Sequence, residues 1–179
     1  MIQVLDKSFE EFIKRDEIDR EIQSLGKTLN ADFSGKEVVF LAVLNGAFMF
    51  ASDLMKVVDL DCEISFVKMS SYQGTKTTGT VEELIGLNTN IRNKHVIIVE
   101  DIVDSGFTIN KIHSLLEGRE AASVSVCTLL YKPDAFQGTK KPEYVGFSIS
   151  NAFVVGYGLD YDEKGRNLDA IYQIRDANK

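Results

Sequence analysis

The sequence predicts an α/β fold: a mainly parallel sheet with helices on both faces. Three observations carry this. The runs Val38–Leu44 and Val96–Val99 are solidly apolar, and Val124–Tyr131 is mostly so, interrupted only by Ser125 and Thr128, as strands buried on both faces are. Helix-like segments separate them, the order expected of parallel strands joined by crossovers. Each apolar run, and a later one at Phe153–Tyr157, leads into a polar or glycine-bearing loop: Asn45-Gly46, Glu100–Thr108, Lys132-Pro133 and Asp160–Arg166. Ligands of such sheets bind beyond the carboxyl ends of the strands, so these loops should gather at one edge.

The elements follow in order. Residues 9–30 read as an amphipathic helix, because Ile18, Ile22, Leu25 and Leu29 recur in steps of four and three. "FSGK" at 33–36 is a turn. The strand Val38–Leu44 is broken by Asn45-Gly46, and Ala47–Val58 reads as a helix. Cys62–Met69 alternates enough to be a strand. "SSYQGTKTTGT" at 70–80 has little to bury and reads as a mobile loop or extended hairpin. Val96–Val99 is a strand, Ile109–Gly118 a helix and Val124–Tyr131 a strand that ends in a turn rich in lysine and proline. Phe153–Tyr157 is a further strand, followed by the acidic loop "GLDYDEKGRN", and Ile171–Ile174 a short last one.

With 179 residues, 44% hydrophobic and 26% charged, the chain fits one domain with a core that needs no disulfide or structural metal. Its net charge of −7 argues against a nucleic-acid partner, which asks for a basic face. A small anionic ligand carried with a divalent cation suits it better. No apolar run is long enough for a membrane span, and the first residues lack the pattern of a secretory signal. Cys62 and Cys127 sit in apolar contexts without CxxC spacing, and read as plain thiols of a cytoplasmic protein. His95 and His113 have no zinc spacing and read as structural or surface residues.

The informative stretch is "VIIVEDIVDSGFT" at 96–108. Ser105 and Thr108 supply hydroxyl donors, Gly106 permits a tight turn, and the following helix points free amides at whatever sits there. It is neither a Walker A loop nor a dinucleotide fingerprint. Yet Glu100 and Asp101 would repel a bare phosphate. A ligand with two ends resolves the conflict: its phosphate rests on the turn, while its sugar hydroxyls or a bound Mg²⁺ face the carboxylates. The plainer reading is a strand and a helix capped by Asp104 or Ser105. A receiver domain also has an acidic pair after a strand, but too little chain follows Glu100 to complete one.

This stretch strongly resembles the phosphoribosyl-pyrophosphate signature of type I phosphoribosyltransferases. "FVVGYGLDYDEKGRNL" at 153–168 resembles the C-terminal purine and pyrophosphate segment of the hypoxanthine (hypoxanthine-guanine) branch. The likeness runs from about residue 10 to 175. It implies that family's fold: a single domain over 1–179, with a small hood built from N- and C-terminal segments and a flexible active-site loop at about 70–80. It implies purine salvage, in which the 5-phosphoribosyl group of phosphoribosyl pyrophosphate passes to hypoxanthine, and also to guanine, with Mg²⁺ as cofactor. A homodimer or homotetramer is implied as well.

Residue by residue, the resemblance makes Asp104 the general base that takes or shares the proton on purine N7. It makes Asp104, Ser105, Gly106, Phe107 and Thr108 the 5′-phosphate loop, and Glu100 and Asp101 the pair facing the ribose diol and its metal. Some relatives carry lysine where this chain has Phe107. Lys132 is implied to donate to the purine 6-oxo oxygen, although spacing alone reads it as a surface lysine. Phe153 is implied to stack on the base, although alone it reads as a core aromatic. Val154 contacts the base edge through its backbone. Asp160 corresponds to a ligand of a second Mg²⁺, and Arg166 to a pyrophosphate contact; a calcium loop over 160–171 fails at Lys164 and Ile171. Leu44, Asn45 and Gly46 correspond to a pyrophosphate loop in which relatives hold a cis non-proline peptide and often carry Lys or Arg in place of Asn45. Ser71 and Tyr72 correspond to the tip of a loop closing over the reacting centre. Two alternatives stand beside this reading: a uracil-type phosphoribosyltransferase that doubles as an RNA-binding regulator, and a nucleotide-sensing module without turnover.

Overall fold

The structure is a computed structural model and describes residues 1–69, 83–85, 87 and 89–175. The elements in order are β1 (Ile2–Val4), β2 (Lys7–Ile13), α1 (Arg15–Asp32), β3 (Val38–Leu44), α2 (Phe48–Val57), β4 (Cys62–Met69), β5 (Glu83–Ile85), β6 (His95–Val103), α3 (Phe107–Leu116), β7 (Ser123–Tyr131), β8 (Tyr144–Ser148), β9 (Val154–Val155) and β10 (Ile171–Ile174). They build two sheets, one of six strands in the order β5-β4-β3-β6-β7-β8 and one of four in the order β1-β2-β10-β9.

In the larger sheet β4, β3, β6, β7 and β8 are parallel, and only β5 runs antiparallel. This is the α/β sheet the apolar runs predict. Side chains alternate along β3. Val38, Phe40 and Ala42 join a core with Ile18, Ile22, Leu25 and Leu29 of α1 and with Phe50 and Leu54 of α2. Val39, Leu41 and Val43 join the opposite core with Ile109, Ile112 and Leu116 of α3. A strand buried on both faces has no reason to alternate polar with apolar, hence the unbroken run. Among the described residues, no helix is long and apolar enough to cross a membrane.

The structure departs from the sequence reading in four places. Residues 9–13 are strand, not the start of a helix. Phe9 and Ile13 mimic a helical step of four, but both are buried in β2, and a register shift at Ile171/Tyr172 lets two β2 residues oppose one of β10. The helix begins only at Arg15, where the Glu17 carboxylate accepts a 3.0 Å hydrogen bond from the Lys14 amide. The central strand runs on through Glu100 and Asp101 to Val103, so these two acids sit within a strand rather than a loop. The helix after it starts at Phe107, two residues early, and ends at Leu116. Finally, Val154–Val155 is antiparallel to β10 in the smaller sheet, and the main sheet gains β8 instead.

The smaller sheet pairs residues from early and late in the chain, β2 with β10. Phe9, Val4 and Val155 form its own small core. The predicted loop at 70–80 lies outside the described residues.

Candidate active site

The four loops do gather. Val103 at the end of β6 hands over to a turn, Asp104-Ser105-Gly106, on which α3 begins. Gly106 has φ +82°, the left-handed conformation that glycine adopts without steric cost. A cavity of about 250 Å³ opens over this turn, lined by Glu100 and residues 102–109. The first amides of α3 lack partners within the helix and face an anion-sized space. The turn is braced from behind by the chain after β7. Gln137 N donates to Ser105 O at 3.1 Å and Lys132 N to Val103 O at 3.0 Å. The Phe136 ring closes over Gly106 and packs edge-on against Tyr131, centroids 5.6 Å apart.

Lys132 follows β7, and its Nζ donates a 2.8 Å hydrogen bond to Asp104 Oδ2. The lysine is buried and the aspartate half-exposed, so the pair sits at the mouth of the site. Lys132 is therefore not the free surface lysine that spacing alone suggests.

Glu100 and Asp101 are among the few charged residues of the core, 8% and 7% exposed. Asp101 Oδ1 accepts a hydrogen bond from the Ile102 amide, and Glu100 Oε2 is buried with no partner among the described residues. Burial, then the neighbouring Asp101 charge, pushes the Glu100 carboxyl well above its usual range. Burial also raises Asp101; hydrogen bonding to Glu100 and to backbone amides and the charge of Arg166 oppose it. Two crowded carboxylates with one orphaned oxygen suit a hard cation that brings further oxygen ligands from its substrate. Among the described residues no group of three or more His, Cys, Asp or Glu side chains converges on one point. Asp160 thus does not join Glu100 and Asp101 in a single cage.

Across the cleft, Leu44-Asn45 is a cis peptide bond, as the likeness to relatives implies. Gly46 lies so close to Asp101 that a Cβ there would meet its carboxylate. Gly158, at φ +100°, packs its α-carbon against the Gly46 carbonyl, again where a Cβ has no room. Arg166 is folded onto the same turn: Nη1 donates to Gly158 O at 3.0 Å, and Nη2 lies 2.9 Å from Asp160 Oδ1 and 3.0 Å from Glu163 Oε2. Its Nε is buried without a partner among the described residues. The other Asp160 oxygen accepts from the Glu163 amide at 2.8 Å.

Phe153 is 41% exposed, so it is not the core aromatic that its surroundings in the sequence suggest. Its ring leans on Phe9 and Tyr161, at 6.2 and 5.7 Å between centroids. Ile174 N holds Phe153 O at 2.8 Å, and Val154 is buried in β9. Ser71 and Tyr72 lie outside the described residues. His95 bonds Ser123 Oγ through Nδ1, a structural contact, and both thiols are free. Sequence reasoning missed Phe136 and Tyr157; only the glycines on either side of Tyr157 signal an unusual turn.

The family model of the phosphoribosyl transferase domain matches residues 11–162. The hypoxanthine-guanine phosphoribosyltransferase of Lactococcus lactis is 40% identical over 169 residues, which cover 93% of this chain and 92% of that protein. The bifunctional protein TilS/HprT of Listeria innocua is 42% identical over 160 residues, and there the chain spans only 25% of the relative's length. A crystal structure of a hypoxanthine-guanine phosphoribosyltransferase from Bacillus anthracis superposes with a TM-score of 0.87 at 38% identity, covering 95% of this chain and 99% of the other. The parallel sheet, the anion cradle at the start of α3 and these similarities lead to one assignment: the chain belongs to the hypoxanthine phosphoribosyltransferases of the phosphoribosyl transferase domain family.

Proposed function

We propose that the protein serves purine salvage, moving the 5-phosphoribosyl group of phosphoribosyl pyrophosphate to hypoxanthine, and to guanine as well, with release of pyrophosphate and formation of IMP or GMP. The observation that carries this is the Lys132–Asp104 pair at the mouth of the anion cradle. A donor for a 6-oxo group and an acceptor for a ring proton stand side by side, next to a seat for a sugar phosphate.

In this reading the 5′-phosphate rests on residues 104–108, held by the α3 amides and by the Ser105 and Thr108 hydroxyls. Glu100 and Asp101 face the ribose diol. Phe153 stacks on the base and Lys132 donates to its 6-oxo oxygen. The bond from the anomeric carbon to pyrophosphate breaks, the bond to a purine nitrogen forms, and Asp104 takes the proton the purine gives up. The departing pyrophosphate lies between residues 44–46 and Arg166. Glu100 and Asp101, with Asp160 on the other side, are the residues that would hold Mg²⁺. The ion supplies charge neutralisation for phosphate and diol oxygens when bound. The roles assigned to Ser71 and Tyr72 in covering the centre are part of the proposal. So are the cytoplasmic location and the homodimer or homotetramer. The free thiols support the first, and the exposed Phe48, Ile64 and Phe66 support the second.

The test is an assay with phosphoribosyl pyrophosphate, Mg²⁺ and each of hypoxanthine, guanine, xanthine, adenine and uracil in turn, with the nucleotides separated by chromatography. IMP should form fastest, GMP readily and XMP poorly. Uracil turnover matching that of hypoxanthine would overturn the assignment.

A further inference from the structure

One carboxylate outside the site ties three distant segments together. Asp53, on α2, accepts at Oδ2 from Arg15 Nη2 at 2.7 Å and from the Tyr157 hydroxyl at 2.6 Å, while its Oδ1 takes Lys56 Nζ at 2.7 Å. Arg15 stands at the start of α1, also pairs with Asp19 at 2.7 Å, and places its guanidinium 5.2 Å from the centre of the Tyr157 ring. Tyr157 is fully buried, and it lies 104 residues from Asp53 in sequence. Burial acts to raise the Asp53 carboxyl, but hydrogen bonds from Lys56, Tyr157 and Arg15 outweigh it and hold the group below its usual value. Tyr157 is pushed up, by burial first and then by Asp53. Hydroxyl and carboxylate therefore remain a neutral donor and a charged acceptor, the strong form of hydrogen bond.

The backbone around Tyr157 explains why such an anchor is needed. Gly156, Tyr157 and Gly158 have φ of +98°, +51° and +100° in succession. Left-handed conformations are disfavoured for a tyrosine and persist only where surroundings hold them. The turn is also the support of the proposed pyrophosphate side: Gly158 rests on the Gly46 carbonyl, Gly158 N donates to Arg166 O, and Arg166 Nη1 donates back to Gly158 O, each at 3.0 Å. Phe153, by contrast, is held through β9, β10 and the Ile174 amide.

We propose that Tyr157, fixed by Asp53 and Arg15, is a positioning residue for the pyrophosphate subsite, setting Arg166 and Asp160 against residues 44–46 while the base platform is held separately. The inference rests on the assignment of that subsite above. Removing the phenol hydroxyl leaves the ring's burial intact and frees the turn. It should weaken pyrophosphate and phosphoribosyl pyrophosphate and spare the purine. A merely structural bond would lower thermal stability and leave the two substrates equally affected.

The experiment compares wild type, Y157F, D53A and D53N by steady-state kinetics, and by calorimetric binding of inorganic pyrophosphate with Mg²⁺. Y157F and D53A should each raise the phosphoribosyl-pyrophosphate KM and the pyrophosphate Kd by about five- to twentyfold, with the hypoxanthine KM within about twofold of wild type. The range spans the upper part of the net worth of an ordinary intramolecular hydrogen bond and the lower end of that of a charge-assisted one. A Y157F/D53A double variant should be no worse than D53A alone on these readouts, because D53A already removes the acceptor of the phenol. D53N keeps an oxygen for the hydroxyl and should recover most of the loss. Unchanged pyrophosphate affinity in Y157F, or parallel loss of both substrates in all three variants, would overturn the proposal. If Y157F fails to fold, D53A against D53N still decides it, on the same readouts. A wild type that binds pyrophosphate but converts no purine would refute the proposed reaction and leave this comparison standing. A wild type that binds no pyrophosphate would refute both.

Discussion

Lys132 Nζ sits 2.8 Å from Asp104 Oδ2, so the two side chains assigned to neighbouring atoms on one edge of the base hold one another in place. Lysine carries three donors and no acceptor, and it can keep Asp104 while meeting a second oxygen. The pair positions the acceptor of the proton as much as the donor to the base.

Asp104→Asn should therefore retain the fold and most phosphoribosyl-pyrophosphate binding, since an amide oxygen still accepts from Lys132. It cannot take a proton. Its kcat should fall by roughly 10²–10⁴, the usual worth of general acid–base catalysis. Steady-state rates decide the matter, and a variant within about threefold of wild type rules the role out.

Adenine should be inert. It presents an amino group where hypoxanthine and guanine present an oxygen, so Lys132 would be left facing a donor. A site built for a hydrogen bond rejects an analogue lacking it by about 10⁴–10⁵. The measurement is the ratio of kcat/KM for hypoxanthine and adenine, and comparable values would remove Lys132 from the base site.

Turnover should stop in excess chelator and return with Mg²⁺ or Mn²⁺. The reason lies in Glu100 and Asp101, two crowded buried acids with one carboxylate oxygen that has no partner among the described residues. Undiminished rates with chelator present would exclude a metal from the reaction.

Asp53 makes a pH prediction. Its carboxyl is held below the ordinary value of 3.8, so between the folded and unfolded values the unfolded chain binds more protons and stability rises with pH. The contribution is full above about pH 4 and is lost as pH falls through the folded value. D53N should therefore melt below wild type at pH 7, and the gap should narrow toward pH 3. A gap that stays constant across that range in thermal melts contradicts the ionised network.

How far the fold was legible depended on burial. β3 is buried on both faces, and its unbroken apolar run says so; β7 is buried from Val126 on, and its largely apolar second half shows it. β8 was missed because "YVGFS" is only half-buried and short, with no run to see. The sequence shows β6 only as far as Val99 because charged residues are rarely buried; Glu100 and Asp101 are, at a cost in desolvation that the proposed metal and diol contacts would offset. Residues 9–13 were misread because a bulged strand can imitate a helical period. The phosphate turn was legible because its chemistry is local, five consecutive residues from Asp104 to Thr108. The Asp53–Arg15–Tyr157 network was not, because its members share no spacing and each alone looks ordinary: an acid on a helix, a basic residue at a helix start, an aromatic between glycines.

The smaller sheet has a consequence for the newly made chain. Asp6 and Tyr161, bonded at 2.8 Å, are separated by 155 residues, and β2 finds β10 only across a similar span. The parallel sheet and its anion cradle are complete in sequence by Ser148, before that partner has been translated. Until then Phe9 and Ile13 lie on a strand with an open edge, the kind of surface that invites pairing with another chain. Synthesis thus delivers first the half of the site proposed to seat the sugar phosphate, and last the strand that holds the proposed platform for the base. A chain interrupted before Ile171 would carry Phe153 without the strand that holds it, and an adhesive edge on β2.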